Sequence, residues 1–184
     1  MTKLYVVFWD NVAGVYDIFE NIINKKTNKG LCVRVEEEIS EKDEVLECAC
    51  GTGLLSGVIA KRCKSLVATD FSVKMLMKAS KKLDVVVAAN VIHLLDEPYK
   101  ALAELDRVCR KGGKIILPTY MNKNDKGKTS GFVNAIGKAG ADFKRQFTFD
   151  TYKRFIKDAG YENVKYTLIE GKIPCAVAVI TLAE

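Results

Sequence analysis

The sequence predicts a doubly wound α/β fold with a mostly parallel sheet, and three observations support this prediction. Segments with helical apolar spacing alternate with short apolar runs that are typical of buried strands. The first of these runs breaks at two glycines and restarts as a helix, a connection characteristic of nucleotide-binding folds. The last two runs, residues 164–170 and 175–182, follow each other without a helix, so we expect an antiparallel last strand.

Length and composition are those of one soluble domain. The 184 residues are 48% hydrophobic and 28% charged, as in ordinary globular proteins. We divide the domain into a helical cap (1–40), a ligand-binding core (41–120) and a C-terminal part (121–184). The loop that opens the C-terminal part is expected on the substrate side of the sheet.

The same numbers disfavour several classes of function. The apolar runs are too short to span a bilayer and the N-terminus carries no secretory signal, which favours a cytoplasmic protein. Six cysteines without a C-x-x-C pair, together with a single histidine, predict no metal site. The net charge of +6 comes from scattered lysines, which favours a solvated surface, with acidic substrates or nucleic acid as the alternatives.

Residues 45–55 are the segment around which the chain is organised. A strand ends at Leu46, and a helix is predicted over residues 54–62. Between them, Gly51 and Gly53 allow the backbone to approach a ligand, and the start of the helix offers unpaired N–H groups. The alternative is a tight strand–helix connection that binds nothing.

Asp70 ends the second predicted strand, seventeen residues after Gly53. An acid at this position can accept hydrogen bonds from ribose hydroxyls. A dinucleotide is disfavoured because the third glycine of its motif is absent, and Gly57 lies one position too late. Glu47, just before the turn, would repel a pyrophosphate but attract an ammonium group.

Several segments resemble motifs of class I S-adenosylmethionine-dependent methyltransferases. The pattern Glu47-x-Ala49-x-Gly51-x-Gly53 resembles the first motif, with alanine in place of the usual first glycine. A sulfonium and an amino group on that cofactor fit an acidic pocket. Further resemblances cover residues 70–79, 84–95, 98–116 and, for the ubiquinone/menaquinone-biosynthesis group, 8–17.

The resemblance implies a Rossmann-like fold, S-adenosylmethionine as cofactor, and methyl transfer to a small-molecule, lipid or quinone-like acceptor. The residues implied to bind the cofactor are Glu47, Ala49, Cys50, Gly51, Thr52, Gly53, Asp70, Phe71, Ser72, Met75, Asn90 and Val91. Those implied to line the acceptor pocket are Trp9, Tyr16 and Tyr120. Core packing is the alternative for Met75 and for the N-terminal aromatic residues, and a plain surface loop is the alternative after Tyr120.

His93 is the candidate catalytic residue, as a general base. It follows the fourth-strand motif, near the place where the resemblance puts the methyl group. A base is needed only if the acceptor loses its proton late. The alternative is a packing or orienting residue, because Leu94 and Leu95 beside it are typical of a core.

The other elements are assigned from apolar spacing and end signals. Residues 8–24 have helical spacing, whereas residues 25–30, with three lysines and a glycine, are predicted to form a basic turn. Asp96 is predicted to cap the helix that begins at Pro98.

The junction between Leu83 and Asp84 is anomalous. A helix with Leu83 on its buried face would run into the next strand without the usual connection. In the resembled family a further strand and an adenine-contacting loop lie here. Either a segment has been omitted from the sequence, which the awkward junction favours, or the third, edge strand is truly missing.

Two alternative functions fit the same residues. A cofactor-binding, non-catalytic partner subunit would fit a true loss of the third strand. A nicotinamide-dependent oxidoreductase is disfavoured by Glu47 and by the glycine spacing. No residue identifies the methyl acceptor or the oligomeric state.

Overall fold

A computed structural model describes residues 24–51, 53–69, 83–122 and 144–184. Within these ranges the chain forms one six-stranded sheet with helices packed on both faces. The strands are β1 Glu44–Cys48, β2 Ser65–Thr69, β3 Leu83–Ala88, β4 Cys109–Tyr120, β5 Val164–Ile169 and β6 Cys175–Thr181.

The sheet has the order β2-β1-β3-β4-β6-β5. The strands β2, β1, β3 and β4 are parallel, whereas β6 is antiparallel to both of its neighbours. This arrangement confirms the predicted doubly wound, mostly parallel sheet and its antiparallel last strand. Because the parallel strands run in one direction, their carboxyl ends meet at one edge, which we call the carboxyl edge.

Four helices flank the sheet in the described ranges: α1 Lys25–Glu36, α2 Ser56–Ile59, α3 Pro98–Val108 and α4 Phe149–Asp158. Side chains of β3 alternate between the two faces, with Val87 packed in the cluster that contains α1 and α2 and Val86 in the cluster of α3 and α4. None of these helices is long and apolar enough to cross a membrane.

The predicted basic turn at residues 25–30 is wrong, because these residues form the first half of α1. Thr27 and Asn28 are buried there together with Leu31, so packing against the sheet overrides the turn signal of Gly30. The helix predicted over residues 54–62 is also shorter than expected, since α2 covers four residues.

The predicted capping role of Asp96 is wrong as well. Glu97 is the N-cap residue of α3, and no side chain donates or accepts a capping hydrogen bond. The carboxylate of Asp96 instead forms an ion pair with Lys144, with 3.1 Å between Oδ1 and Nζ. The contact joins residues that are far apart in sequence, so end signals near Pro98 could not reveal it.

The junction at Leu83 and Asp84 lies inside β3, which starts at Leu83 and runs on without a break. The Asp84 carboxylate accepts hydrogen bonds from the backbone N–H of Glu44 (2.8 Å) and from Nε of Arg110 (2.5 Å). The interpretation in which a segment is omitted here does not hold for this chain of 184 residues, and Leu83 belongs to a strand. In the described part of the sheet, β2 pairs with β1 alone.

The start of α1 is joined to the loop between β5 and β6. Thr27 Oγ1 donates to the carbonyl of Ile173 (3.2 Å), and the N–H of Ile173 donates to Asn24 Oδ1 (3.3 Å). A Cβ on Gly171 would lie 1.8 Å from Thr27 Oγ1, so this close approach requires glycine. The contact brings together residues about 150 positions apart in sequence, and it places α1 at the carboxyl edge.

Candidate active site

Three predicted site residues lie where neighbouring strands end at the carboxyl edge. Glu47 is the penultimate residue of β1, Asn90 follows β3 by two residues, and Tyr120 ends β4. The strands β1, β3 and β4 are adjacent and parallel. The structure therefore brings these side chains to one edge, as expected for a doubly wound sheet.

The turn after β1 is built from left-handed backbone conformations. Gly51 and Gly53 have φ angles of 51° and 86°, and Ala49 has a φ of 60°. The alanine occupies the place where the resembled motif has glycine, and it carries a strain of about 1–2 kcal/mol there. A Cβ on Gly51 would meet no atom of the described residues within 4 Å, so none of them covers the backbone at this position.

Glu47 lies beneath this turn and is 2% exposed. Its Oε2 accepts a hydrogen bond of 2.5 Å from Oγ of Ser56, the first residue of α2. This bond ties the end of β1 to the start of the next helix. A buried carboxylate next to an open turn favours a cationic ligand and disfavours an anionic one.

Thr69 connects the turn to the end of β2. Its carbonyl accepts the N–H of Cys50 (3.0 Å), and its hydroxyl donates to the carbonyl of Glu47 (3.2 Å). In the sheet register Thr69 is the partner of Cys48. The last described residue before Asp70 therefore lies directly beside the turn.

The cysteines of this segment are free thiols, as are the other four in the chain. Burial raises the pKa of the Cys48 thiol to about 12, so this group stays protonated and unreactive at neutral pH. Cys50 is half-buried, and its N–H is used in the bond to Thr69. Among the described residues no group of His, Cys, Asp and Glu side chains could hold a metal ion.

Asn90 joins the ends of β3 and β4. It adopts a left-handed φ of 52°, its N–H donates to the carbonyl of Pro118 (2.8 Å), and its Oδ1 accepts the N–H of Tyr120 (3.1 Å). Val91 beside it is half-buried, and its carbonyl accepts the N–H of Leu94. The amide oxygen of Asn90 thus holds the loop in shape.

His93 lies in a short 3₁₀ helix, Ile92–Leu94, and is 7% exposed. Burial lowers the pKa of its imidazole to about 4, so the ring is neutral at pH 7. Its carbonyl accepts the N–H of Arg145 (3.1 Å). Burial and a low pKa favour the packing alternative over a general base, which works best with a pKa near the working pH.

Tyr120 is half-buried and links the carboxyl edge to α1. Its hydroxyl donates to Oδ1 of Asn28 over 3.3 Å. The N–H of Tyr120 also donates to Asn90, so hydrogen bonds hold both its backbone and its hydroxyl group. Tyr120 therefore lies between the end of β3 and the first half of α1.

The sequence did not reveal four residues that shape this edge: Ser56, Thr69, Asn28 and Arg145. A small polar residue at a helix start is a signal that could have found Ser56. The others act through contacts between distant segments, which local patterns do not show. The remaining predicted site residues lie outside the described ranges, namely Trp9, Tyr16, Thr52, Asp70, Phe71, Ser72 and Met75.

A family model described as a methyltransferase domain matches residues 77–117. A phosphatidylethanolamine N-methyltransferase of Cereibacter sphaeroides is 28% identical over 120 residues, which are 51% of this chain and 58% of that protein. A demethylmenaquinone methyltransferase of Renibacterium salmoninarum is 26% identical over 134 residues, or 61% and 56% of the two chains. Over these segments the chain is similar in sequence to methyltransferases.

The fold agrees with these sequence matches. An S-adenosylmethionine-dependent methyltransferase of Thermotoga maritima, described as a possible histamine N-methyltransferase, superposes with a TM-score of 0.67 at 16% identity. The superposition covers 95% of the present chain and 98% of the Thermotoga maritima protein. The resemblance to S-adenosylmethionine-dependent methyltransferases is confirmed in sequence over these segments and in the fold. The present chain spans a little more than half the length of each of the two curated relatives.

Proposed function

We propose that this protein transfers a methyl group from S-adenosylmethionine to a lipid or quinone-like acceptor at the carboxyl edge. The observation that carries the proposal is the buried Glu47 carboxylate beneath the open glycine turn. The two curated relatives support the acceptor class, because one is named for phosphatidylethanolamine and the other for demethylmenaquinone.

The described residues fit this cofactor. A turn with an exposed Gly51 lets a ligand approach the backbone, and Glu47 supplies a negative charge within the same segment. Thr69 leads directly into Asp70, to which we assign the ribose hydroxyls. Thr52, Phe71, Ser72 and Met75 complete the proposed cofactor site from the neighbouring segments.

When bound, S-adenosylmethionine supplies a methyl group that is already activated on a sulfonium. The chain then has to orient the acceptor and exclude water. We assign the methionine end of the cofactor to Asn90 and Val91, and the acceptor side to Tyr120 with Trp9 and Tyr16. His93, whose pKa is lowered by burial, is assigned to shaping the loop rather than to removing a proton from the acceptor.

Calorimetry with the full chain tests the cofactor. We expect S-adenosylmethionine and its demethylated product to bind and NAD to give no heat. Methyl transfer from labelled cofactor to phosphatidylethanolamine or to a demethylated quinone then tests the acceptor class. Binding of NAD in preference to the demethylated product would overturn the cofactor assignment, and transfer confined to water-soluble acceptors would overturn the lipid assignment.

A second candidate function is a cofactor-binding, non-catalytic partner subunit. The observation that favours it is the edge of β2 that no other described strand pairs with, on a strand where Val67 is 54% exposed. An unpaired strand edge can pair with another chain. Cofactor binding without turnover on any acceptor, together with co-purification of a second methyltransferase chain, would favour this function over catalysis.

A further inference from the structure

The charges along α1 are arranged in the reverse of the order that a helix favours. Lys25 and Lys26 lie in the first turn and Lys29 follows in the second, whereas residues 36–38 at the other end are all glutamates. The first turn contains no acid, and Asn24 makes no side-chain capping bond. Cations near a helix N-terminus face the positive end of its dipole, so this arrangement disfavours the helix.

Lys172 belongs to the same cluster because its neighbours are bonded to the start of α1. Gly171 packs directly against Thr27, and Ile173 exchanges hydrogen bonds with Thr27 and Asn24. The loop therefore holds the backbone of Lys172 beside the first turn of the helix. We call Lys25, Lys26, Lys29 and Lys172 the basic surface.

All four side chains of the basic surface are exposed. Their helix neighbours Thr27 and Asn28 are buried, so the lysines lie on the outer side of α1. None of these four lysines has an acidic partner within 4 Å among the described residues, whereas Arg34, Arg110 and Lys114 are paired with acids. Glu170 is an exposed acid two residues before Lys172 and offsets one of the four charges.

The basic surface borders the acceptor side of the proposed active site. Lys29 follows Asn28, whose Oδ1 accepts the hydroxyl of Tyr120 at the end of β4. The loop that carries Lys172 leads into β6, whose first residue pairs with Tyr120. Four positive charges, two of them in the first turn of α1 where the helix dipole disfavours them, thus lie at the edge where the acceptor is expected.

We propose that the basic surface docks the protein onto an anionic phospholipid membrane, with the acceptor side of the sheet facing the lipid. Exposed lysines are attracted to acidic headgroups, and each adds roughly a fivefold gain in partitioning near the surface. The charge fits acidic headgroups, and the lipid acceptor favours a membrane over nucleic acid; the described residues of this surface also include no exposed aromatic side chain for stacking on single-stranded bases. The proposal rests on the lipid acceptor of the proposed function.

Vesicle co-sedimentation with the full chain tests this docking. We expect binding to vesicles that contain phosphatidylglycerol and none to vesicles of phosphatidylcholine alone, with a steep loss at high salt. Replacing the four lysines with glutamine should weaken binding to the anionic vesicles by at least about tenfold. The same variant should unfold at an unchanged or slightly higher temperature, because the unfavourable charges at the helix start are gone.

A control variant has the same change in net charge but replaces four lysines outside the basic surface. Lys42, Lys61, Lys111 and Lys165 are exposed lysines away from the basic surface, and their replacement with glutamine should leave vesicle binding within about threefold of the wild type. Equal losses in the two variants, strong binding to phosphatidylcholine alone, or no vesicle binding would each overturn the proposal. So would tighter binding to a DNA or RNA duplex than to anionic vesicles.

Cofactor calorimetry on the same variants separates this proposal from the proposed function. Both variants should bind S-adenosylmethionine as the wild type does, because none of the eight lysines lies in the glycine turn. A protein that binds cofactor but no vesicles would contradict the docking alone. A protein that binds vesicles but neither cofactor nor its product would contradict the proposed function alone.

Discussion

The two edges of the sheet hold their charged residues in different ways. At the opposite edge, where the parallel strands begin and which we call the amino edge, opposite charges pair directly. Glu38 pairs with Arg34 and, at 2.7 Å, with Lys114. Asp84 pairs with Arg110 at 2.5 Å. At the carboxyl edge, the buried Glu47 accepts a hydrogen bond from a neutral serine hydroxyl. The first arrangement joins opposite charges of different segments, whereas the second ties a buried carboxyl group to the helix that follows the glycine turn.

The two edges also differ in backbone strain. Ala49 and Asn90, the two described non-glycine residues with positive φ, both lie at the carboxyl edge. Such conformations cost about 1–3 kcal/mol each and persist where surrounding structure holds them. Backbone strain is therefore found at the edge with the proposed site, whereas the ion pairs of the amino edge stabilise the fold.

The largest expected effect is on cofactor binding by Glu47→Gln. Glutamine keeps the shape and can still accept the Ser56 hydroxyl, but it removes the charge that attracts the cationic cofactor. We expect binding to weaken by about 2 kcal/mol, or roughly thirtyfold, in calorimetry.

Glu38→Gln at the amino edge is the matched control for this change. It removes the carboxylate that pairs with both Arg34 and Lys114, leaves Arg34 paired with Glu37 alone, and should cost about 2 kcal/mol of unfolding free energy. Cofactor affinity should stay within about twofold of the wild type. If Glu47→Gln and Glu38→Gln weaken cofactor binding equally, the effect is not specific to the carboxyl edge.

The second expected effect is a loss of stability on mild acidification, caused by His93. Its pKa is lowered from 6.5 to about 4 in the folded protein, so between these values the unfolded chain binds a proton that the folded chain does not. Stability should therefore fall as the pH drops from 7 to 5, by about 2 kcal/mol in urea titrations.

His93→Gln should remove this pH dependence, since His93 is the single histidine of the chain. At the amino edge, burial raises the pKa values of Glu38 and Asp84, but their hydrogen bonds and the nearby cations outweigh it and hold both below their usual range. Their stabilisation is therefore lost only at more acidic pH. An unchanged slope between pH 7 and 5 in the variant would show that another group is responsible.

A smaller effect is expected for Gly51→Ala. The new Cβ meets no atom of the described residues, but the φ of 51° makes it strained by about 1 kcal/mol, and the methyl group projects toward the space assigned to the cofactor. Thermal unfolding and calorimetry should both detect the change.

Gly57→Ala provides the control, because Gly57 lies in α2 with open space and an ordinary backbone. It should stabilise the protein by about 0.5–1 kcal/mol without changing cofactor affinity. A loss of affinity in this control as large as that in Gly51→Ala would remove the evidence that the turn contacts the cofactor.

The smallest expected effect is that of Ala49→Gly. Glycine relieves the strain at φ 60° but adds conformational freedom to the unfolded chain. We expect a net gain of about 0.5 kcal/mol in unfolding free energy. A clear loss would mean that the methyl group of Ala49 makes packing contacts that outweigh the strain.

The sequence was most informative about the strands and the turn. Apolar runs located the end of β1 to within two residues and β6 to within one, because these buried strands are mostly apolar. Glu47, Asn90 and Tyr120 could be placed at one edge from strand direction alone. Their hydrogen-bond partners could not, since Ser56 and Asn28 come from other segments.

The errors have a common physical cause. Residues 25–30 carry the signals of a turn, yet Thr27 and Asn28 are buried against the sheet and a loop from the far end of the chain. Asp96 has the position of a cap, but its carboxylate pairs with Lys144 and makes no capping hydrogen bond. In each case a contact distant in sequence decided the local structure, and local propensities are too weak to resist it.

The contact of Thr27 and Asn24 with Ile173 has a consequence for synthesis of the protein on the ribosome. The helix that begins at Lys25 emerges early, but its docking surface is completed only when the final hairpin has left the exit tunnel. During that interval the apolar face of the helix has no native partner in this hairpin. We expect nascent chains that stop short of residue 171 to depend on chaperones, and release of the last residues to trigger final docking.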